Sequence, residues 1–252
     1  MGRGLIIVLM LLGLAGPAHA RSGEPASRFA NWTSAIVAAD WRDGAQRPIQ
    51  AFDNARRDLV TGFLAAGFPR ETMVDFSLRP DSSRPTTAAE ALAGLNAAAM
   101  RGTAGCLLYF TSHGAPTAMV FGPTAQMTPD LLANTVRAAC GARPTVVIVS
   151  ACYSGIFVNA LTAPNRMVLT AASRERVSFG CSADETYPWF DGCVLEALPA
   201  ATDFLALAAG ARACVARKEA EHGVALPSEP QLFVGADMQL RLPTLRFSRP
   251  ST

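Results

Sequence analysis

The stretch TVVIVSACYSG, residues 145–155, ends a β-branched apolar run in one thiol, Cys152. A cysteine at a strand tip has three fates: a buried inert side chain, half of a disulfide, or a nucleophile. The third fate needs an imidazole to take the thiol proton and pass it to a leaving group. The chain holds His19, His113 and His222. His19 lies in an N-terminal leader, and His222 sits in a polar Glu221-His222-Gly223 helix end that reads as solvated surface. That leaves His113, followed by Gly114 at the end of a second apolar run, GCLLYF over 105–110. Cys152 with His113 would make an acyl-transfer pair, with thiolate as nucleophile and imidazole as general acid and base. The backbone N–H groups of Gly114 and Cys152 would hold the oxyanion, glycine leaving room for the carbonyl. Gly155 would let the chain turn into a following helix, whose N-terminal dipole favours thiolate at Cys152. Neither Ser150 nor Ser154 makes a G-x-S-x-G serine elbow. There is no metal-ligand spacing and no phosphate-binding glycine loop, so no metal or cofactor is expected.

The elements that must position this pair follow from apolar periodicity. Strands are expected at Ala35–Ala39, Thr72–Leu78, Gly105–Phe110, Thr145–Val149, Met167–Ala171 and Gln231–Val234, with half of a hairpin at Ala118–Gly122. Between them, Phe52, Ala55, Leu59 and Phe63 recur at helical spacing, and Gly67 ends that helix. Thr86 or Thr87 is placed to cap a helix running to about Met100, and Thr128-Pro129 to open one running to Cys140. Asp191–Leu198 and Thr202–Glu221 complete the helices. Strands alternating with helices mean a mostly parallel sheet covered on both faces. Ligands then bind beyond the carboxyl ends of the strands, where His113 and Cys152 both fall.

Composition sets the bounds. The 252 residues carry 22 basic and 20 acidic side chains, with Lys218 the one lysine. A balance so near neutral offers nothing for nucleic acid or an anionic membrane. Met1-Gly2-Arg3, the apolar run Gly4 to Gly16 and Ala18-His19-Ala20 read as a cleavable secretion signal, cut after Ala20. The run is too short to anchor in a bilayer, so no stable membrane insertion is expected once it is removed. The Arg- and Ala-rich usage suggests a GC-rich bacterial source and a periplasmic or secreted product. Residues 21–240 read as one domain, and the Pro- and Arg-containing tail over 241–252 as disordered.

With these residues in view, the chain resembles the legumain-like cysteine peptidases of family C13, in the clan that also holds caspases. LLYFTSHGAPTAMVFG is similar to that family's strand–His–Gly–hairpin unit, and TVVIVSACYSG to its strand–Ala–Cys–x–Ser–Gly unit. MVLTAASRERVSFGCSADETYPWFDG is similar to the segment after the nucleophile. The resemblance implies a caspase-like α/β three-layer sandwich, with about six strands between helices. It also implies cleavage of peptide bonds in a protein or peptide substrate through an acyl-thioester on Cys152, with His113 as acid/base and transpeptidation as a side activity. Gly114 completes the oxyanion hole, and Ser150, Ser178 and Asp191 line the substrate pocket. Ser112 and Ser150 stand where legumains carry Asp and Glu, and the pocket arginine expected near Ile49 to Asp53 has no counterpart. The pocket then takes a small or neutral side chain, or a basic one if Asp191 faces it. The alternative is a non-catalytic caspase-like peptide-binding or structural module with Cys152 in a disulfide.

Six cysteines, Cys106, Cys140, Cys152, Cys181, Cys193 and Cys214, permit three bridges. If Cys152 is free, another must be free as well. Cys181 with Cys193 across the pocket loop is one expectation. Cys140 and Cys214, paired together or with Cys106, is another.

Overall fold

The computed structural model describes residue 1, residues 27–83 and residues 85–248. The expected leader and its cleavage point lie outside the described residues.

Six strands form one sheet, in the order β2 (Met73–Ser77), β1 (Trp32–Ala38), β3 (Gly105–Thr111), β6 (Thr145–Ser150), β7 (Arg166–Thr170), β8 (Gln231–Val234). All neighbours run parallel except β7 and β8. The short strands β4 (Met119–Val120) and β5 (Gln126–Met127) make a separate antiparallel hairpin. This is the caspase-like three-layer architecture the sequence implies.

The continuous apolar runs are explained by the two layers of helix. On one face Ile36, Leu107, Tyr109, Ile148 and Leu169 pack under α1 (Ala51–Ala65), α5 (Trp189–Ala197) and α6 (Phe204–Glu221). On the other, Val37, Leu108, Phe110, Val147, Val149 and Val168 pack under α2 (Ala88–Ala99), α3 (Pro129–Cys140) and α4 (Ile156–Leu161). Successive side chains point to opposite faces, so strands buried on both sides show no polar alternation. β1 begins at Trp32, earlier than periodicity suggests, because Trp32 is itself buried against Phe29, Phe68 and Phe204.

The helix ends follow local chemistry. Thr87, not Thr86, caps α2 through a capping box with Glu90. Thr128 caps α3 with Pro129 in its first turn, and Asp203 caps α6 by accepting from the Ala206 N–H. Each such cap contributes about 1 kcal/mol.

Two disulfides fasten helices to the rest. Cys106 of β3 joins Cys140 of α3, and Cys193 of α5 joins Cys214 of α6. Loops of this length limit the unfolded chain by about 3 kcal/mol each. The expected Cys181–Cys193 bridge is not formed, because Cys193 points inward from α5 to its helix neighbour α6. Cys152 and Cys181 are free.

Of the tail expected over 241–252, residues 241–248 are described and 249–252 lie outside the described residues. After β8 the chain forms α7 (Ala236–Arg241) and a single 3₁₀ turn, Leu242–Thr244. Met238, Leu242 and Phe247 are buried, and Phe247 packs on Phe29 and Phe204. Its apolar residues are too sparse to show a period, yet each of these three is buried in the core on the α1–α5–α6 face. Phe247→Ala should therefore lower unfolding stability by about 3 kcal/mol, read as a drop in the urea midpoint with an unchanged slope.

Candidate functional site

β3 and β6 are direct neighbours, and their last paired residues are Thr111 and Ser150. The Ser112 N–H extends the ladder by donating to the Ser150 carbonyl at 3.0 Å. His113 and Cys152 therefore leave the sheet at the same edge, each two residues beyond the final pair. Ser112, where an acid was expected, is buried and donates its hydroxyl to the Val120 carbonyl at 2.7 Å. It ties the β4–β5 hairpin to the strand end.

Gly114 is required by contact between backbones. A Cβ placed there would lie 2.0 Å from the Cys152 carbonyl oxygen and 3.1 Å from the Ala151 side chain. Sequence reasoning assigned this glycine to substrate room; the nearer obstacle is the Cys152 carbonyl. Among the described residues, neither the Gly114 N–H nor the Cys152 N–H donates to another protein group. Both amides are left without a partner elsewhere in the protein, which an oxyanion hole requires of its donors.

The turn after Cys152 is made by Tyr153, which holds φ +57° and donates its N–H to the Arg176 carbonyl at 2.7 Å. Gly155 has an ordinary φ of −58°. Its reason is space, since a Cβ would meet the Arg174 nitrogen at 2.4 Å. The helix that follows, α4, is only six residues long and starts at Ile156. The groups on Cys152 Sγ are instead those of Ser178, whose N–H donates to sulfur at 3.3 Å and whose carbonyl accepts the S–H at 3.4 Å. Burial raises the Cys152 pKa, and the Ser178 hydrogen bonds offset this only in part. The surroundings of the sulfur thus disfavour thiolate, where a helix dipole was expected to favour it.

His113 is held from two sides. Its Nε2–H donates to the Arg42 carbonyl at 2.7 Å, and its ring meets Phe52 edge-on with centroids 5.2 Å apart. A carbonyl can only accept, so the neutral ring carries its proton on Nε2 and leaves Nδ1 as the base. Arg42 and Phe52 were missed in the sequence. Arg42 acts through its main chain, which no residue type signals, and Phe52 reads as an ordinary helix-face apolar residue. Among the described residues no hydrogen bond joins Cys152 to His113 directly. His222 remains on the surface, with its ring 4.5 Å from that of Trp189.

The pocket candidates divide. Ser178 lies on the thiol. Asp191 and Ser150 lie beneath the sheet edge, both buried. The Asp191 carboxylate, in the first turn of α5, accepts from the Tyr109 hydroxyl at 2.5 Å and from the Thr111 hydroxyl. Full burial raises its pKa to about 6, while the hydroxyl donors, with Ser150 close by, pull it down. Ser150 Oγ makes no hydrogen bond of ordinary geometry. Asp191, which would have suited a basic substrate side chain had it faced the pocket, is fully buried and turned into the protein. The loop after β1 holds an Asp40–Arg42 ion pair at 2.8 Å. Among the described residues no group of three or more His, Cys, Asp or Glu side chains could hold a metal.

The Peptidase C13 family model matches residues 100–197, a span that includes His113, Cys152, Ser178 and Asp191. Among solved structures, caspase-1 from Spodoptera frugiperda is similar, with a TM-score of 0.59 at 14% identity, covering 83% of this chain and 88% of that one. At that identity the likeness shows the fold. No curated protein matches the chain. The family match, over 98 residues, and the fold agree with the resemblance to legumain-like C13 peptidases.

Two outcomes follow from the geometry. Gly114→Ala should force the His113 and Cys152 strand ends apart, slowing any Cys152-directed electrophile more than tenfold, roughly the cost of a displaced reacting group. Asp191 should leave a pH signature. Its folded pKa of about 6 lies above the ordinary 3.8, so its protonated form favours folding below 3.8, and that stability is lost as pH rises to about 6. The loss should be about 3 kcal/mol, relative to a non-titrating Asp191→Asn variant. Urea unfolding of both proteins across this window checks it; a pH-independent difference would assign the titration elsewhere.

Proposed function

We propose that this chain, a legumain-like C13 cysteine peptidase, cleaves peptide bonds with Cys152 as nucleophile and His113 as general acid and base. The observation that carries the reading is the pair of unpartnered amides, Gly114 and Cys152, beside a thiol and an imidazole of fixed tautomer.

The sequence of events follows from the resting state. Substrate enters with its carbonyl oxygen between the two amides. His113 Nδ1 accepts the thiol proton as sulfur attacks the carbonyl carbon, so thiolate forms only as it is used. The oxyanion is stabilised by donors that need no reorganisation. The imidazolium then protonates the leaving amine, the C–N bond breaks, and an acyl-thioester remains on Cys152. A water that loses its proton to Nδ1 resolves the thioester, and an amine in its place would give transpeptidation. Phe52 and the Arg42 carbonyl keep the ring from rotating between these transfers. Ser178 touches the sulfur and lines the substrate side of the site. With Asp191 buried and Ser150 beneath it, the side chain accepted beside the scissile bond is small or neutral.

The product is secreted or periplasmic. The leader over residues 1–20 supports this, as do two disulfides among deeply buried cysteines, which suit an oxidising compartment.

The test is intact-mass labelling of the non-reduced protein with a peptidyl acyloxymethylketone carrying a small neutral first residue. One adduct is expected, absent in Cys152→Ala and slowed about 10²-fold or more in His113→Ala. A folded wild type that takes no label, or equal labelling in His113→Ala, would remove the catalytic pair and leave a peptide-binding module.

A further inference from the structure

Four of the six cysteines are spent in disulfides, and the two left free, Cys152 and Cys181, share one corner of the fold. Ser178 holds Cys152 Sγ with both its N–H and its carbonyl, and Cys181 follows three residues later. Between them Gly180 takes φ +88° and turns the chain. Cys181 packs against the cluster of Ala38, Ile49, Ala51 and Phe52, and Phe52 is the ring that supports His113. Cys181 is therefore tied to the nucleophile through Ser178 and to the base through Phe52. Both thiols are partly exposed. Burial, with the charge Cys152 takes on when it ionises and with Asp191, Asp40 and Glu185 nearby, raises the Cys181 pKa and keeps it as a thiol. Nothing in the peptidase reaction uses it.

We propose that Cys181 is a resolving thiol: when a hydroperoxide oxidises Cys152, Cys181 closes a reversible Cys152–Cys181 disulfide that switches the site off and protects the nucleophile. The inference rests on reading Cys152 as the reactive thiol. In the first step His113 Nδ1 takes the Cys152 thiol proton as the sulfur attacks the outer peroxide oxygen. The S–O bond forms as the O–O bond breaks, and the departing oxygen takes a proton to leave as water or an alcohol. Sulfur has lost two electrons to the peroxide and is a sulfenic acid. In the second step the Cys181 sulfur attacks the sulfenic sulfur, the S–S bond forms, the S–O bond breaks, and hydroxide leaves as water with the Cys181 proton. An external dithiol reverses the result. Closure needs the Ser178 hold on Sγ to open and the segment to pivot at Gly180, bringing the two Cα atoms within about 7 Å. An oxidising compartment makes the device useful, because a solitary thiol there advances to sulfinic acid, which reductants do not restore.

The experiment uses the full chain, in wild type, Cys181→Ser and Cys152→Ala forms. Each is treated with a small excess of hydrogen peroxide, alkylated with iodoacetamide and mapped as non-reduced peptides. Acyloxymethylketone labelling is measured before oxidation, after it, and after dithiothreitol too dilute to open the two native disulfides. Wild type should yield a peptide joined through Cys152 and Cys181, with labelling down about tenfold or more and restored by dithiothreitol. Cys181→Ser should end with Cys152 as sulfinic or sulfonic acid and no restoration. Wild type with over-oxidised Cys152 and an alkylated Cys181 would overturn the proposal, and if Cys181→Ser misfolds this wild-type map decides alone. A cross-link in a protein that never took the label would sink the peptidase reading while the thiol pair stands. Normal labelling without a cross-link would do the reverse.

Discussion

The site depends on one register. Because β3 and β6 run parallel with Thr111 opposite Ser150, the next residues of both strands emerge together. A shift of one residue would exchange the two faces along a strand. It would put Val149 or Phe110 toward the α1–α5–α6 layer and take Tyr109 away from Asp191. The register is held from both sides by the apolar layers, from below by the Cys106–Cys140 bridge at the start of β3, and from above by the Ser112 to Ser150 hydrogen bond. The chemistry at the edge thus inherits the specificity of a fully buried sheet.

Close approach of main chain is the second constraint. Gly114 against the Cys152 carbonyl and Gly155 against Arg174 bring backbones nearer than any side chain allows. Tyr153, between them, accepts a left-handed φ that costs a bulky residue about 1–2 kcal/mol and is held there by the Arg176 carbonyl. The strain lies next to the Cys152 thiol, where the chain leaves the strand sharply and the Cys152 amide has no partner elsewhere among the described residues.

Beneath this edge lies a polar knot. Asp191, Tyr109 and Thr111 satisfy one another in the interior, and burial drives the pKa values of Asp191 and Tyr109 upward. A buried carboxylate served by hydroxyls rather than a cation is nearly balanced between its two protonation states. It anchors the first turn of α5 to the strand that carries His113. Its contacts position the strand end, while Ser178 is the residue that touches the thiol.

Most of the layer architecture was legible in the chain. Continuous apolar runs, helical spacing from Phe52 to Phe63, Thr128-Pro129 and the Thr87 to Glu90 box are local signals with local causes, and each element formed within a few residues of its expected place. Counting the histidines also isolated His113, because a general base must be a particular residue type. Other features depended on contacts between segments far apart in sequence. Cys193 paired with Cys214 and not with Cys181 because helix packing aims it inward. Phe247 is buried because an aromatic cluster from other segments receives it. Asp191 turned from expected pocket acid to buried anchor because two hydroxyls of β3 lay above it. The Arg42 carbonyl that sets the His113 tautomer carries no sequence signal at all, since every residue has a carbonyl. Residue type and periodicity therefore determined which elements and which reactive groups exist; only the tertiary structure decided which atoms meet, because burial and distance belong to pairs of segments and not to either one.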